Sequence, residues 1–245
     1  MPDVSLTPRP TDGLVERLGY PRQTDLWKPM SMDYDVFEDK FWGDAILGLY
    51  PGAKLVGSGS AAVTLTEHRL GGYLYIISGT TDNGYAGQGM GLQFKGDRGV
   101  LAEFIVRTPA AVTTMKFEVG LSDADDDAGA VNVKATPSAT AADYGVFVFD
   151  RDDDTVLAFH SAKAGTITAS EDTGITVAVD TTYRLAVRVT DDNLVAYVNG
   201  VVVAEHGNGI EGGSALTPWV FCQARAGSAS RTLQLHKWRV TAPAY

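Results

Sequence analysis

Hydrophobic and polar residues alternate along most of the chain, which is the pattern of β-strands that bury one face. In residues 115–121, and again in residues 183–189, apolar side chains occupy every second position. Because successive side chains of a strand point to opposite faces, this period of two predicts strands with one buried side. Further strands are predicted at 61–67, 72–78, 88–95, 99–107, 144–150, 155–160, 174–179, 194–198, 201–206, 217–225 and 231–240.

Turn-forming residues separate these segments and indicate how the strands connect. Asp191, Asp192 and Asn193 end one strand, and Asn199-Gly200 separates two short apolar runs. Asn-Gly supplies the two positive φ angles of a type I′ turn, so the second site predicts a β-hairpin. With about a dozen strands and no long helical pattern, the sequence predicts an all-β, two-sheet antiparallel jelly-roll sandwich.

Composition agrees with one large domain and narrows the range of partners. The 245 residues are 44% hydrophobic and include 27 Gly and 10 Pro, which suits a packed core with many turns. The net charge of −10 argues against a nucleic-acid partner, and it indicates either a partner with a basic face or simple solubility. Cys222 is the single cysteine, so no internal disulfide is expected, and its apolar neighbours predict a buried, inert thiol.

Residues 1–33 differ from residues 34–245, and we expect them to form an extended N-terminal arm that precedes the sandwich. The arm holds half of the ten prolines and shows no regular hydrophobic period. Proline fixes φ and removes a backbone donor, so extended or irregular backbone is expected. Its apolar side chains need a surface, which is either their own domain or a neighbouring subunit. The candidates for such a docking contact are Leu14, Leu18, Tyr20, Leu26 and Trp27.

Several segments of the predicted sandwich resemble one known superfamily. Phe37-Glu38-Asp39-Lys40-Phe41 is similar to the opening strand of concanavalin A-like lectin/glucanase domains of the laminin G-like kind. Residues 183–189 followed by 194–204 resemble the hairpin of that superfamily, and residues 232–240, with Trp238, resemble its closing strand. The resemblance covers residues 34–245 and implies a jelly roll. Its members include both sugar-binding proteins and glycosidases.

A second resemblance concerns the way in which the parts are combined. An apolar arm, a glycine-rich run (Gly84, Gly87, Gly89, Gly91) and Asp-rich loops around a lone jelly roll are similar to virion proteins of tailed bacteriophages. The resemblance implies a capsid-decoration subunit or a head- or tail-associated subunit. It is an analogy between architectures, because a fold does not determine a function.

The sequence contains no complete catalytic signature of the kinds that this fold suggests. The Glu-x-Asp-x-x-Glu strand motif of the superfamily's glucanases is absent. Glu103 and Glu118 are the nearest substitute if residues 108–110 form a hairpin turn, although Lys116 and Arg107 are their expected neighbours. Residues 207–212 match G-x-G-x-x-G but have no room for a following helix, so a loop without nucleotide is expected. We therefore expect no enzymatic activity and no cofactor.

Metal and glycan binding are the other chemistries that were considered. Acidic residues cluster at 123–127 and 150–154, where calcium is one interpretation and solvated turns are the other. The four histidines are scattered without ligand spacing, and surface or edge positions are expected for them. No metal site is predicted. Trp42 and Tyr85 are the aromatic candidates for contact with a glycan.

Together these features predict a non-enzymatic structural virion protein that docks through its arm. The expected partners are other virion proteins, capsid or tail subunits, in a homo-oligomer. The alternatives are a carbohydrate-binding module that recognises a host surface and, third, a glycoside hydrolase. The N-terminus has no signal-peptide pattern and no apolar stretch spans a bilayer, so synthesis in the host cytoplasm, no membrane insertion and a final location in the virion are expected.

Overall fold

The computed structural model describes residues 34–41, 54–65, 72–125, 129–226 and 229–243. In these ranges the chain forms sixteen β-strands and one short 3-10 turn at Gly96–Arg98. The strands form two eight-stranded sheets, and every pairing between described strands is antiparallel. The predicted all-β sandwich of two antiparallel sheets is confirmed.

The first sheet, called sheet A, brings both ends of the described chain together. In spatial order the sheet contains β14 (Val201–His206), β13 (Asn193–Val198), β12 (Thr182–Thr190), β7 (Val100–Arg107), β16 (Thr232–Pro243), β4 (Leu74–Ile77) and β3 (Ala62–Leu65), with β1 (Tyr34–Asp39) beside β16. Strand β16 lies at its centre, with β7 on one side and β1 and β4 following each other along the other side.

The second sheet, called sheet B, contains the remaining eight strands. In spatial order these are β11 (Thr166–Thr176), β10 (Val156–Lys163), β9 (Tyr144–Asp150), β8 (Met115–Ser122), β15 (Ala215–Ala224), β5 (Tyr85–Gly89) and β2 (Lys54–Gly57), with β6 (Phe94–Lys95) beside β15. Strands β8 and β15 lie near its centre, β11 and β2 are its edge strands, and the short β6 pairs with the start of β15.

The main core lies between the two sheets. Strand β7 shows the predicted alternation, since Val100, Ala102, Phe104 and Val106 are buried and the residues between them are half-exposed. The inner positions of sheet B supply a second layer of aromatic side chains, which are Phe117, Phe147, Phe149 and Phe159. Cys222 belongs to this core, and burial raises the pKa of its thiol to about 12, as expected for an inert cysteine.

The turn predicted at Asn199-Gly200 is confirmed. Asn199 has φ 52° and Gly200 has φ 85°, which are the positive values that a type I′ turn requires, and β13 and β14 form the predicted hairpin. Residues 207–212 form a loop between β14 and β15, as expected.

Two strand predictions were wrong in detail, and one strand was missed. The predicted strand 88–95 is two strands, because Gly91 adopts φ 79° and breaks the extended backbone between β5 and β6. The predicted strand 174–179 is the end of the longer β11, whose first half has only Ile167 and Ala169 as half-buried apolar positions before the polar residues 170–173. Strand β2 was not predicted, since four residues are too few to show a period.

The predicted hairpin at residues 108–110 was also wrong, and this removes the candidate carboxylate pair. Strand β7 belongs to sheet A and β8 to sheet B, so the connection crosses from one sheet to the other. Thr108 holds it, because its hydroxyl donates to the Ala178 carbonyl at 2.7 Å and accepts the Thr181 N–H at 3.0 Å. Glu103 and Glu118 therefore lie on different sheets.

The predicted arm, residues 1–33, lies outside the described residues, so its boundary with the sandwich stays a prediction. Within the described ranges, no helix is long and apolar enough to cross a bilayer.

Candidate functional site

The face of sheet B that points away from sheet A is partly closed by a segment of the chain itself. This covering loop joins β8 to β9, and its described residues are 123–125 and 129–143. Strands β8 and β9 are buried at every position, which means that both of their faces are covered. A second apolar cluster fills the space under the loop and consists of Ala130, Val131, Ala141, Tyr144, Val146, Val148 and Ala162.

An ion pair lies buried beneath this loop. Lys116 and Glu118 are two positions apart on β8 and so share the outer face, and their side chains are 1% and 0% exposed. The Lys116 ammonium lies 2.6 Å from the Glu118 carboxylate and donates a second hydrogen bond to the Val131 carbonyl. It also lies 5.3 Å from the centre of the Phe221 ring, within the range of a cation–π contact.

The loop backbone supplies two further hydrogen bonds to the Glu118 carboxylate. The backbone N–H groups of Ala130 and Val131 donate to its carboxylate at 2.6 and 3.2 Å. Gly129 makes this approach possible, because it adopts φ +74° and a Cβ there would lie 3.0 Å from Glu118 Oε1. Both charges of the pair are therefore satisfied by the protein's own loop, as buried charges require.

Other polar atoms on the same face are buried without such partners. Among the described residues, no hydrogen-bond partner reaches the Tyr144 hydroxyl, the Trp219 indole N–H or either ring nitrogen of His160. Burial, together with the Glu118 charge, raises the pKa of Tyr144. Burial, together with nearby Lys134, lowers the pKa of His160 to about 4. The expectation that each histidine lies on the surface or at an edge was wrong for His160, which is fully buried.

The acidic cluster at residues 150–154 is neutralised by basic side chains. Asp150 lies 3.2 Å from the Arg225 guanidinium, and Asp154 accepts two hydrogen bonds from Lys134 at 2.6 and 2.7 Å. The Lys134 ammonium also lies 3.3 Å from Asp172. No group of three or more His, Cys, Asp or Glu side chains suited to a metal ion occurs in the described ranges. Asp126 and Asp127 lie outside them.

An aromatic ladder occupies the other half of this face. The Tyr85 ring stacks on Phe221 with centroids 5.5 Å apart, and Phe221 stacks on Trp219 at 6.0 Å. Gly87 and Gly89 pair with Phe221 and Trp219 across the strands, so β5 places no side chain over the ladder at these two positions. Tyr85, at the end of the ladder, is half-buried while Trp219 is fully buried.

A chain of polar side chains begins opposite Tyr85. Gln223 lies opposite it on β15, and the Gln223 amide donates to the Asn83 carbonyl at 3.3 Å. Arg225 donates to the Gln223 amide oxygen at 3.5 Å and lies 3.9 Å from Asp152, whose side chain is 43% exposed. We call Tyr85, Asp152, Gln223 and Arg225 the Tyr85 patch.

One member of this patch was predicted from the sequence as a glycan contact. Tyr85 lies within it, whereas the second glycan candidate, Trp42, and the arm residues Leu14, Leu18, Tyr20, Leu26 and Trp27 lie outside the described residues. Gln223 and Arg225 were missed, although their alternation with Cys222 and Ala224 places both on the face opposite the core. Their proximity to Tyr85 depends on the pairing of β15 with β5, which are far apart in sequence.

The fold is shared with solved structures of low sequence identity. No protein-family model and no curated protein matches the chain. A protein of unknown function from Shewanella oneidensis MR-1 superposes with a TM-score of 0.63 at 14% identity, covering 100% of this chain and 97% of that one. The potassium-bound carbohydrate recognition domain of Emp46p gives a TM-score of 0.54 at 11% identity, with coverages of 79% and 89%.

An enzyme has the same architecture. The endo-β-1,4-glucuronan lyase of the fungus Trichoderma reesei gives a TM-score of 0.56 at 11% identity, covering 83% of this chain and 94% of the lyase. These likenesses concern the fold, because identities this low carry no residue correspondence of their own. The chain therefore shares its two-sheet β-sandwich fold with a carbohydrate recognition domain and with a glucuronan lyase.

Proposed function

We propose that the protein is a non-enzymatic carbohydrate-binding protein that contacts a sugar through the Tyr85 patch. The observation that carries this proposal is the half-buried Tyr85 ring opposite the Gln223 amide, from which contacts continue to the Arg225 guanidinium and the Asp152 carboxylate. A sugar ring offers an apolar C–H face and a rim of hydroxyl groups. An aromatic ring suits the first, and polar groups that both donate and accept suit the second.

The fold supports this proposal as an analogy. One of the similar structures is a carbohydrate recognition domain and another is a lyase that acts on a glucuronan, so this sandwich has carried polysaccharide ligands in other proteins. The fold itself does not transfer a ligand, and the proposal therefore depends on the Tyr85 patch.

The absence of catalysis is part of the proposal, and the pairing of the carboxylates supports it. Glu118 is bound by Lys116 and by two loop N–H groups, and Glu103 pairs with Arg184. A retaining glycosidase needs two carboxyl groups about 5–5.5 Å apart. Glu103 and Glu118 lie on the outer faces of two sheets, which pack about 10 Å apart in sandwiches, so they do not form such a pair.

A glycan array probed with the full chain tests the proposed function. We expect binding to a subset of glycans and its loss in Tyr85→Ala, whereas Gln93→Ala, a change of an exposed amide between β5 and β6, leaves the binding unchanged. If the wild-type chain binds no glycan on the array, or if Tyr85→Ala keeps the full pattern, the proposal is wrong.

A second candidate function is assembly into a larger particle, as a structural subunit of a bacteriophage virion. The observation in its favour is the exposure of Val201 and Val202, which are 66% and 46% exposed on the edge strand β14. Exposed apolar side chains on an open strand edge are typical of surfaces that pair with another chain. Docking through the arm and a homo-oligomeric state belong to this proposal and depend on residues outside the described ranges.

A further inference from the structure

The outer face of sheet A, which points away from sheet B, is positively charged on an acidic protein. Among the described residues, the outward positions of its strands carry five of the chain's 20 Lys and Arg and three of the 30 Asp and Glu. Their net charge is therefore +2, and the remainder of the chain carries −12. The cations are Arg107, Arg184, Arg188, Lys237 and Arg239, and the carboxylates are Glu38, Glu103 and Glu205.

Glu38 is shared between two cations. Its carboxylate oxygens lie 2.9 Å from the Lys40 ammonium and 2.7 Å from the Lys237 ammonium. Partial burial alone would raise the pKa of Glu38, but the two ammonium groups hold it below its ordinary value. One carboxylate neutralises one of the two cations, so this triad keeps a net positive charge.

Glu103 forms a second triad of the same kind. It pairs with Arg184 through one oxygen, and the Arg239 guanidinium lies 3.9 Å from the other. The side chains of Arg184 and Arg239 are 61% and 39% exposed, so both guanidinium groups keep N–H donors on the solvent side. A guanidinium is a planar fork that matches a carboxylate or sulfate group.

An apolar side chain lies between the two triads. Lys237, Ile105 and Arg184 are direct cross-strand neighbours on β16, β7 and β12, and all three are on the outer face. Adjacent strands are about 4.8 Å apart, so the two cations flank the half-exposed Ile105 with about 10 Å between their strands. This arrangement offers an apolar floor with a positive charge on each side.

We propose that this face binds an anionic polysaccharide, one whose sugar rings carry carboxylate or sulfate groups. The sugar ring would lie on Ile105, and Arg184 and Lys237 would bind the anionic groups on either side. The site is separate from the Tyr85 patch, which belongs to the other sheet, so this proposal does not rest on the proposed function.

Two further observations favour a polysaccharide over nucleic acid. The rest of the chain has a net charge of −12 and therefore repels a dense polyanion such as duplex DNA. Duplex DNA carries one charge per about 1.7 Å of its axis. Aromatic rings also line one end of the same face, where Tyr73 stacks on His236 with centroids 4.8 Å apart and Tyr75 pairs across strands with Gln234, next to Arg107. Rings beside cations suit a polymer that has both apolar C–H faces and anionic groups.

Titration calorimetry of the full chain with polygalacturonate, a polymer of uronate sugars, tests the proposal. We expect wild-type binding, no binding of neutral dextran, and a loss of about tenfold or more in Arg184→Ala/Lys237→Ala. The matched control is Lys95→Ala/Arg98→Ala, which removes the same charge from an exposed segment elsewhere and should bind as the wild type does. Ile105→Ser should also weaken binding although it changes no charge.

Several outcomes would overturn the proposal. These are no wild-type binding of polygalacturonate, an equal loss in the control double variant, or equally tight binding of polyglutamate or duplex DNA, which would reveal charge attraction without recognition of a sugar. Tyr85→Ala should leave polygalacturonate binding intact, so failure of the Tyr85 patch and failure of this site are distinguishable. Thermal melting of each variant identifies any that has lost its fold.

Discussion

Lys116 and Glu118 form a fully buried ion pair whose third partner is the backbone of the chain's own covering loop. The ammonium and the carboxylate lie 2.6 Å apart, and both also bind the loop between Ala130 and Val131. Without the loop, both charges would face the outside of sheet B. The pair therefore fixes the loop on the sheet and, with the loop, closes half of the face that lies next to the Tyr85 patch.

Glu118→Gln should strongly destabilise the protein. The substitution leaves the Lys116 ammonium buried without a counter-charge, and breaking a buried pair in this way costs about 3–5 kcal/mol. Urea unfolding should therefore show a much lower midpoint with an unchanged slope. Glu103→Gln is the matched control, because its partner Arg184 is largely exposed and such pairs contribute about 1 kcal/mol or less.

The double variant Lys116→Met/Glu118→Leu separates the charge effect from a general effect of changing the site. Apolar residues of similar volume remove the uncompensated charge, so this variant should recover the part of the loss that comes from the unpaired ammonium, while the Ala130 and Val131 N–H groups stay unpaired. Equal destabilisation in the single and double variants would show that the hydrogen bonds to the loop matter more than the charge of the pair.

His160 should make the protein less stable as the pH falls from about 6.5 to about 4. Burial, with nearby Lys134, lowers its pKa in the folded state from 6.5 to about 4, so in this window the unfolded chain takes up a proton that the folded chain does not. Its contribution to the free energy of unfolding is present above pH 6.5 and is lost at up to about 1.4 kcal/mol per pH unit.

Chemical unfolding of the wild type and of His160→Leu across this pH range measures the effect. Asp150, whose pKa burial raises, is present in both proteins, so the difference between the two curves isolates His160. The wild type should lose stability faster on acidification. Parallel curves would mean that His160 titrates in the folded protein as it does in the unfolded chain.

The alternation of apolar residues predicted the fold because each strand carries its own signal. Strands β7, β8 and β12 each bury every second side chain in the main core, and Asn199-Gly200 fixes the turn between β13 and β14 locally. The second buried face of β8 carried no such signal. Lys116 and Glu118 read as exposed positions, because the loop that covers them comes later in the sequence and has no regular pattern.

The candidate site depends on contacts between distant segments and was therefore predicted only in part. Tyr85 was recognisable as an aromatic residue in a polar, glycine-rich stretch, but Gln223 and Arg225 join it only when β15 pairs with β5. The mistaken pairing of Glu103 with Glu118 has the same origin. Two strands joined by a short turn usually form a hairpin, and only the packing of both sheets shows that this turn crosses between them.

Gly120 should not tolerate a side chain. A Cβ on Gly120 would lie 2.2 Å from the Gly145 carbonyl oxygen, which is a backbone atom of the paired strand and cannot move aside without disturbing the sheet. Gly120→Ala should cost about 1–3 kcal/mol or more, measured as a fall in the urea midpoint. Gly213→Ala is the matched control, because nothing lies within 4 Å of its Cβ position and the change should stay within about 0.5 kcal/mol.

The Tyr85 ring and the Gln223 amide should contribute separately to glycan binding. Tyr85→Phe keeps the stacked ring and should retain most of the affinity for a glycan found on the array, whereas Tyr85→Ala should lose it by about tenfold or more. Gln223→Ala should weaken binding through lost hydrogen bonds, by about 0.5–1.5 kcal/mol. An equal loss in Tyr85→Phe and Tyr85→Ala would place the contribution in the hydroxyl group rather than the ring.

Self-assembly, if it occurs, should depend on the exposed valines of β14, on the arm, or on both. The solution mass from light scattering of the full chain, of Val201→Lys/Val202→Lys and of a chain that starts at Tyr34 tests the two contributions. Charged residues on an open edge strand disfavour pairing with another chain, so the lysine variant should lose any oligomer built through β14. Loss of the oligomer only in the shortened chain would assign assembly to the arm residues. A monomer in all three cases would exclude self-assembly and leave docking on a different virion protein as the remaining form of the structural role.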